Sequence, residues 1–261
     1  MDMPRKARKK SRSGIYHIVW RGANRQEIFH DDRDFQNFLD ILHKYKLKTN
    51  MGVYGWCLMS NHVHLLIREG DEDVSVTLKR IGISFVSCYN LRYGTCGHLF
   101  QDRFHSENVE TEPYLFTVVR YIHQNPLKAG MVEKVAEWRW SSYLAYNGIG
   151  DKTARDLLDP DFILEKFSEN RKLARERFRE FNETVNEDQC LEYEIKGSKL
   201  TDEEAREAIK ILLNGIEIAQ VKSLSRNKRK EIFKKTKGIK GLSQRQTARI
   251  LGVSRKLISK A

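Results

Sequence analysis

The stretch Gly55-Trp56-Cys57-Leu58-Met59-Ser60-Asn61-His62-Val63-His64-Leu65-Leu66-Ile67 carries the strongest fold signal in the chain. Its aromatic, β-branched and other apolar residues predict two strands joined by a turn at Ser60-Asn61. Because side chains alternate between the faces of a strand, His62 and His64 project from the same face. Neutral imidazole is a common metal ligand, so the pair forms half of a candidate metal site. Two histidines on a solvated strand face are the alternative.

The sequence on both sides of this stretch predicts alternating strands and helices. Tyr16–Trp20 is rich in strand-forming residues, and Asp31-Asp32 precede a helical apolar pattern. A second helix is predicted at residues 74–92 and a fourth strand at Leu99–Val109. The resulting order, β–α–β–β–α–β–α once a third helix is included, predicts an α+β fold. We expect a ferredoxin-like, or RRM-like, antiparallel sheet with helices on its face.

The third helix opens at Glu112-Pro113, since proline is well tolerated at a first helical position. We expect it to stop at Asn125, because the residue before Pro126 is disfavoured in helical backbone. On this helix Tyr121 and Asn125 are neighbours on one face, four residues apart. The amide oxygen of Asn125 could complete a metal site with His62 and His64. Tyr121 would then lie beside a metal-bound phosphate as an oxygen nucleophile. A core aromatic is the alternative role for this tyrosine.

Charge is distributed unevenly along the 261 residues, whose formal net charge is +12. Lys and Arg exceed Asp and Glu by 5 in residues 1–12 and by 13 in residues 222–261, whereas residues 13–148 are neutral and residues 149–221 carry −6. Basic ends on a near-neutral body indicate a polyanionic partner, most simply nucleic acid. We therefore divide the chain into a basic tail (1–12), a catalytic domain (13–148), a charged helical connector (149–200) and a basic C-terminal domain (201–261).

The motifs His62-Val63-His64 and Tyr121-Ile122-His123-Gln124-Asn125-Pro126 together resemble the single-tyrosine HUH transposases, closest to the REP-associated tyrosine transposase branch. The match covers roughly residues 13–147. The resemblance implies the HUH endonuclease fold and cleavage of single-stranded DNA near a hairpin through a 5′-phosphotyrosine link, with Mg²⁺ or Mn²⁺. It makes Tyr121 the nucleophile and His62, His64 and Asn125 the metal ligands. His123 is a rival third ligand, although at i+2 it should point away from the Tyr121 face.

The C-terminal stretch Gly241–Lys260 resembles a helix-turn-helix, as found in the DNA-binding module of chromosomal replication initiators. Ser243 would cap the first helix, Gly252 would make the turn, and Ser254 would cap a short recognition helix. Residues expected to contact DNA here are Arg245, Ser254, Arg255, Lys256 and Ser259. In the N-terminal tail they are Arg5, Lys6, Arg8, Lys9, Lys10 and Arg12, which would contribute salt-dependent affinity. A basic helical hairpin used for protein contact is the alternative.

The remaining sequence features concern the location and the assembly state of the protein. The four cysteines match no zinc or disulfide template, and no apolar run reaches transmembrane length. We expect a soluble cytoplasmic protein, nucleoid-associated when bound to DNA, and either a monomer or a homodimer. Two other functions remain open at this point: a DNA-binding regulator that retains an idle catalytic pocket, and a metal-dependent RNA-processing enzyme on the same scaffold.

Overall fold

The structure is a computed structural model of the 261-residue chain. It describes residues 9–23, 26–186, 188, 190, 200, 202–239 and 241–261. The chain divides into two compact units, Met1–Tyr193 (unit 1) and Glu194–Ala261 (unit 2). No helix in the described ranges is long and apolar enough to cross a membrane.

Unit 1 is built on a four-stranded sheet in which each neighbouring pair of strands is antiparallel. The strands are β1 (Ile15–Arg21), β2 (Gly52–Met59), β3 (His62–Arg68) and β4 (His105–Asn108), in the spatial order β2-β3-β1-β4. The turn predicted at Ser60-Asn61 joins β2 to β3. Both central strands are buried along nearly their whole length. The α+β, ferredoxin-like prediction is therefore confirmed.

The fourth strand is shorter than the prediction of Leu99–Val109. Only His105–Asn108 pairs continuously with β1, while residues 99–104 make isolated contacts such as the bridge between Gly22 and Phe100. Phe100 instead stacks on Trp20, with ring centroids 4.4 Å apart. The apolar side chains that suggested a strand here cover the sheet from a loop.

Three long helices cover the sheet: α1 (Asp32–Thr49), α2 (Val74–Tyr93) and α3 (Glu112–Lys128). The first two pack against each other through Phe38 and Phe85, whose rings meet edge to face at 5.2 Å. They cover the face that carries Trp20. The indole is so close to Gly82 of α2 that a Cβ added there would lie 2.4 Å from a ring carbon. Helix α3 covers the opposite face, which carries the histidines.

Helix α3 does not stop at Asn125 as predicted, but continues to Lys128 with Pro126 in its last turn. A proline removes only one backbone donor from the helix, and here the next turn remains bonded. The Ala129 N–H donates to the Asn125 carbonyl oxygen at 3.0 Å, and the Met131 N–H donates to that of Pro126 at 3.0 Å. Asn125 therefore lies within the helix, four residues after Tyr121.

The packed core of unit 1 extends beyond residue 148, which corrects the predicted connector. Four further α-helices follow α3, the last three of them beyond residue 148: α4 (Ser142–Tyr146), α5 (Lys152–Leu157), α6 (Asp161–Leu164) and α7 (Arg171–Glu183). Phe178 of α7 is fully buried and stacks on Tyr146 at 4.2 Å. The high charge of this region suggested a solvated connector. In α7 the buried residues Ala174, Phe178 and Asn182 recur every four positions, so one face of this charged helix packs against the core.

Unit 2 is all-α over its described residues, as predicted for the C-terminal region. Its α-helices are α8 (Asp202–Leu213), α9 (Arg226–Lys237), α10 (Gln244–Ile250) and α11 (Arg255–Ser259). Ser243 caps α10 by accepting a bond from the Gln246 N–H at 3.2 Å, and Gly252 makes the following turn at φ +62°. Ser254 is the N-cap residue of α11, although its side chain makes no capping bond. Thr201 followed by Glu204 three residues later also predicts a capping box at the start of α8, but Thr201 lies outside the described residues.

Candidate active site

The two histidines of β3 lie on the sheet face that α3 covers. In the antiparallel register His62 is opposite Arg21 of β1 and Met59 of β2, and His64 is opposite Val19 and Cys57. Their imidazole centroids are 5.0 Å apart. The side chains are nearly enclosed, since His62 is 8% exposed and His64 is 2% exposed. The expectation that both project from one face is met, and the alternative of a solvated strand face is excluded.

Burial keeps both imidazoles neutral. Desolvation, with a smaller contribution from the positive charge of Arg21, lowers the pKa of His62 from 6.5 to about 4. The same causes, together with the neighbouring His62 and His17, lower the pKa of His64 well below its ordinary value. A metal ion binds the neutral imidazole, so protons do not compete for these nitrogens near neutral pH.

The contacts of His62 leave one of its ring nitrogens available. Its Nδ1 lies 2.6 Å from the Oδ1 atom of Asn61, the preceding residue. An amide oxygen only accepts hydrogen bonds, so Nδ1 carries the proton and Nε2 keeps its lone pair. This is the tautomer that a metal ligand needs.

Asn125 of α3 meets both histidines. Its Nδ2 atom lies 3.2 Å from Nε2 of His64. Its side chain also acts on His62, where it opposes in small part the lowering of the pKa by burial. Amide nitrogen and oxygen are interchanged by a half-turn of the side chain, which would direct Oδ1 to the same place. Two imidazole nitrogens and one amide oxygen therefore suit a divalent cation that keeps open positions, such as Mg²⁺ or Mn²⁺.

This set of donors contains only two histidines. In the part of the chain that the structure describes, no group of three or more His, Cys, Asp or Glu side chains is arranged to hold a metal. A closed structural zinc site, which would need four protein ligands, is therefore not formed by these residue types there.

Tyr121 lies one helical turn before Asn125 and beside the same histidines. Its ring meets that of His64 edge to face at 5.7 Å, and the residue is 4% exposed. Lys128, also on α3, holds its ammonium nitrogen 5.4 Å from the centre of the Tyr121 ring. The predicted nucleophile and the three predicted ligands are therefore neighbours, although they are up to 63 positions apart in the chain.

His123, the rival third ligand, points away from this site. Its Nδ1 lies 2.7 Å from Oδ1 of Asn182, and its Nε2 lies 2.8 Å from Oγ of Ser142. Both ring nitrogens are thus engaged in a buried network between α3, α4 and α7. The geometry favours Asn125 over His123 as the third donor.

Sequence reasoning overlooked His17 of β1, which is fully buried and lies against the site. Its Nε2 is 3.2 Å from Nδ1 of His64, and its ring meets that of Tyr121 edge to face at 6.0 Å. The signal in the sequence is weak: the pattern of Tyr16–Trp20 predicts only a strand, and alternation alone does not say which strand lies beside it. The pairing of β1 with β3 provides that information.

The predicted DNA-binding residues are mostly exposed where the structure describes them. Lys9, Lys10 and Arg12 are exposed in the tail, and Lys10 lies 3.5 Å from Asp73. Arg5, Lys6 and Arg8 lie outside the described residues. In unit 2 the predicted contacts are all exposed: Arg245, Ser254, Arg255, Lys256 and Ser259.

A four-stranded antiparallel sheet with a His-x-His pair on a central strand, faced by a tyrosine on a helix, is the arrangement that the resemblance to single-tyrosine HUH transposases implies. Residues 10–125 match the family model described as "Transposase IS200 like". This match covers somewhat less than half of the chain and confirms the resemblance predicted from the sequence. The helix-turn-helix resemblance of unit 2 lies outside the matched region.

Two known proteins illustrate the similarity. The REP-associated tyrosine transposase of Escherichia coli (strain K12) is 25% identical over 111 residues, covering 42% of this chain and 64% of that relative. The chain thus spans somewhat less than two thirds of the length of this relative. A solved structure described as a REP-associated tyrosine transposase bound to a REP hairpin has a TM-score of 0.48 and 21% identity, covering 56% of this chain and 86% of that chain.

Proposed function

We propose that this protein is a metal-dependent transposase that cuts and rejoins single-stranded DNA beside a hairpin through a 5′-phosphotyrosine intermediate. The observation that carries the proposal is the position of Tyr121 next to His62, His64 and Asn125. The match of residues 10–125 to a transposase family model supports DNA as the substrate. The exposed basic residues of the tail and of unit 2 support a polyanionic partner.

In the proposed reaction the Tyr121 oxygen attacks the phosphorus of one phosphodiester. A bond forms between this oxygen and phosphorus, and the bond from phosphorus to the 3′ oxygen breaks. The phenol loses its proton, and the departing 3′ oxygen gains one to become a free 3′-hydroxyl. Rejoining reverses these steps, because the phosphotyrosine ester retains the bond energy and no nucleotide is consumed.

His62, His64 and Asn125 would hold a divalent cation in this reaction. A bound Mg²⁺ or Mn²⁺ would polarise the phosphate and favour the phenolate form of the tyrosine. The protein itself supplies neutral imidazoles, encloses them from water and keeps the Tyr121 ring on their side of the sheet. Arg120 precedes Tyr121, but we assign it no role in binding phosphate. Its guanidinium is bound to the Asp188 carboxylate at 2.6 Å.

The proposal is tested by trapping the covalent intermediate. The full chain is incubated with Mn²⁺ and single-stranded hairpin oligonucleotides with randomised flanks, labelled at either end, and then separated on a denaturing gel. We expect a protein–DNA adduct that carries the 3′ label and releases the 5′-labelled fragment. Tyr121→Phe should abolish the adduct. Tyr114→Phe should retain it, because Tyr114 lies on the same helix but donates to Glu107.

Each other outcome has a definite meaning. An adduct that persists in Tyr121→Phe would contradict the assignment of the nucleophile, and an adduct carrying the 5′ label would contradict the polarity of cleavage. DNA binding without any adduct in the wild-type chain would favour the DNA-binding regulator. Adducts formed only with RNA hairpins would favour the RNA-processing enzyme.

A further inference from the structure

His17 is a buried polar residue whose ring nitrogens are unequally used. Its Nε2 lies 3.2 Å from Nδ1 of His64, and the two rings stack with centroids 5.5 Å apart and planes at 22°. Its Nδ1 is buried without a hydrogen-bond partner among the described residues. Buried polar atoms in native proteins are nearly always bonded, so an apolar residue would suit this strand position better on stability grounds. The contact with His64 therefore accounts for a histidine at residue 17.

The direction of this hydrogen bond decides which nitrogen of His64 faces Asn125. If Nδ1 of His64 donates to Nε2 of His17, then Nε2 of His64 keeps its lone pair on the side of His62 and Asn125. If the bond ran the other way, the proton would lie on Nε2 and would block that nitrogen as a donor to a metal. Ligand histidines generally donate their second N–H to a fixed acceptor, which sets both tautomer and ring orientation.

The two histidines of β3 each have such an acceptor, but from different sources. His62 donates from Nδ1 to the neighbouring Asn61 side chain at 2.6 Å. For His64 the atom in the corresponding place is Nε2 of His17, on the adjacent strand. Since His17 also lies edge-on to Tyr121, the same ring contacts both the proposed ligand and the proposed nucleophile.

We propose that His17 is a positioning residue that accepts the Nδ1 proton of His64 and so holds Nε2 of His64 ready for the metal. This inference rests on the proposed function only for the role of His64 as a ligand. It concerns metal binding by the chain itself, which can be measured without DNA.

The first test is the affinity of the full chain for Mn²⁺, measured by titration calorimetry without DNA. His17→Phe keeps a ring but removes the acceptor, and we expect it to weaken Mn²⁺ binding at least about tenfold, the usual effect of removing such a partner. His17→Gln can place its amide oxygen near the former Nε2 position, and we expect it to bind within about threefold of wild type. Ile18→Ala is the matched control, because Ile18 is fully buried on the same strand but faces away from the site.

The second test reads the tautomer of His64 in the metal-free chain from the ¹⁵N chemical shifts of its ring nitrogens. We expect the proton on Nδ1 in the wild type and in His17→Gln, and a shift towards the Nε2–H form in His17→Phe. This measurement also decides the matter if the wild type shows no measurable Mn²⁺ affinity. If His17→Phe does not fold, His17→Asn replaces it, since its shorter amide does not reach His64.

Two results would overturn the inference: wild-type Mn²⁺ affinity and tautomer in His17→Phe, or a His17→Gln variant as impaired as His17→Phe. Failure of the proposed function looks different. In that case the wild type forms no DNA adduct, while the dependence of Mn²⁺ binding and of the His64 tautomer on His17 remains.

Discussion

The two regions of this chain that hold the candidate functional residues are built in opposite ways. In unit 1 the candidate site is enclosed: His62, His64 and Tyr121 are 8%, 2% and 4% exposed. In unit 2 the candidate DNA-binding residues, among them Arg255 and Lys256, are exposed on or beside α10 and α11, helices of seven and five residues. Enclosure fixes geometry and keeps imidazoles neutral, whereas exposure lets cations meet a polyanion. The chemistry of each region should therefore fail for a different reason.

The largest expected effect follows from removing a buried donor. His64→Ala should slow adduct formation about a thousandfold or more at saturating Mn²⁺, because a metal supplies several kcal/mol of charge stabilisation in such reactions. Hairpin DNA binding should change little, since the exposed cations are untouched. The measurement is the single-turnover rate of adduct formation beside the Kd for the same hairpin.

Val63→Ala is the matched control for this variant. Val63 lies between the two histidines, is fully buried and faces the other side of the sheet. It should lower stability without changing the rate of adduct formation. A rate for His64→Ala within tenfold of wild type would show that the buried site does not depend on this donor.

An intermediate effect is expected from the exposed region. The double variant Arg255→Gln with Lys256→Gln should weaken duplex DNA binding. It should also reduce the magnitude of the logarithmic salt slope by about 2, or about 1 for each phosphate that the variant no longer neutralises. Adduct formation on saturating hairpin DNA should be unchanged. The measurement is the Kd at several salt concentrations.

Lys210→Gln serves as its control, because Lys210 is an exposed cation of unit 2 that lies 3.5 Å from Glu207 on α8. Its salt slope should equal that of the wild type. A decrease of the slope by about 1 in the control, the same per removed charge as in the double variant, would mean that unit 2 binds DNA through its overall charge rather than through α11.

These two regions were also unequally predictable from the sequence. The order of strands and helices in unit 1 follows from apolar periodicity, and the common face of His62 and His64 follows from strand alternation. Tyr121 and Asn125 share a face because they are four residues apart on a helix, a relation that survives the misplaced helix end at Pro126.

The features that the sequence did not reveal depend on contacts between distant segments. His17 and His64 are 47 residues apart and meet only because β1 pairs with β3. His123 is directed away from the site by Asn182, 59 residues later, in a helix that the sequence assigned to a connector. The short-range pattern at Leu99–Val109 likewise could not show that most of these residues cover the sheet from a loop. Local patterns specify elements and faces, and tertiary pairing specifies partners.

The smallest expected effect is on the stability of the fold at acidic pH, and it should again differ between the two units. His123 is fully buried, and desolvation lowers its pKa from 6.5 to about 4. Below about pH 6.5 this histidine is protonated in the unfolded chain but not in the folded chain. The free energy of unfolding therefore falls as pH falls from about 7 towards 4. His123 alone should lower it by about 2 kcal/mol between pH 8 and pH 5. His17, with a pKa lowered to about 3 by burial, acts in the same direction.

Because all eight histidines and all four tryptophans precede residue 141, this acid sensitivity should be confined to unit 1 and visible in tryptophan fluorescence. Urea unfolding of the full chain at several pH values measures the slope of the free energy of unfolding against pH. Amide hydrogen exchange of unit 2 peptides measures the stability of that unit under the same conditions.

His123→Gln should lower stability at pH 8, because the buried imidazole and its hydrogen bonds are removed. It should also flatten the slope. Ile18→Ala, a buried site without a titratable group, should lower stability but leave the slope unchanged. Two results would contradict this prediction: an unaltered slope in His123→Gln, or a parallel loss of hydrogen-exchange protection in unit 2 peptides. Either would mean that burial does not keep the imidazoles neutral, as the candidate site requires.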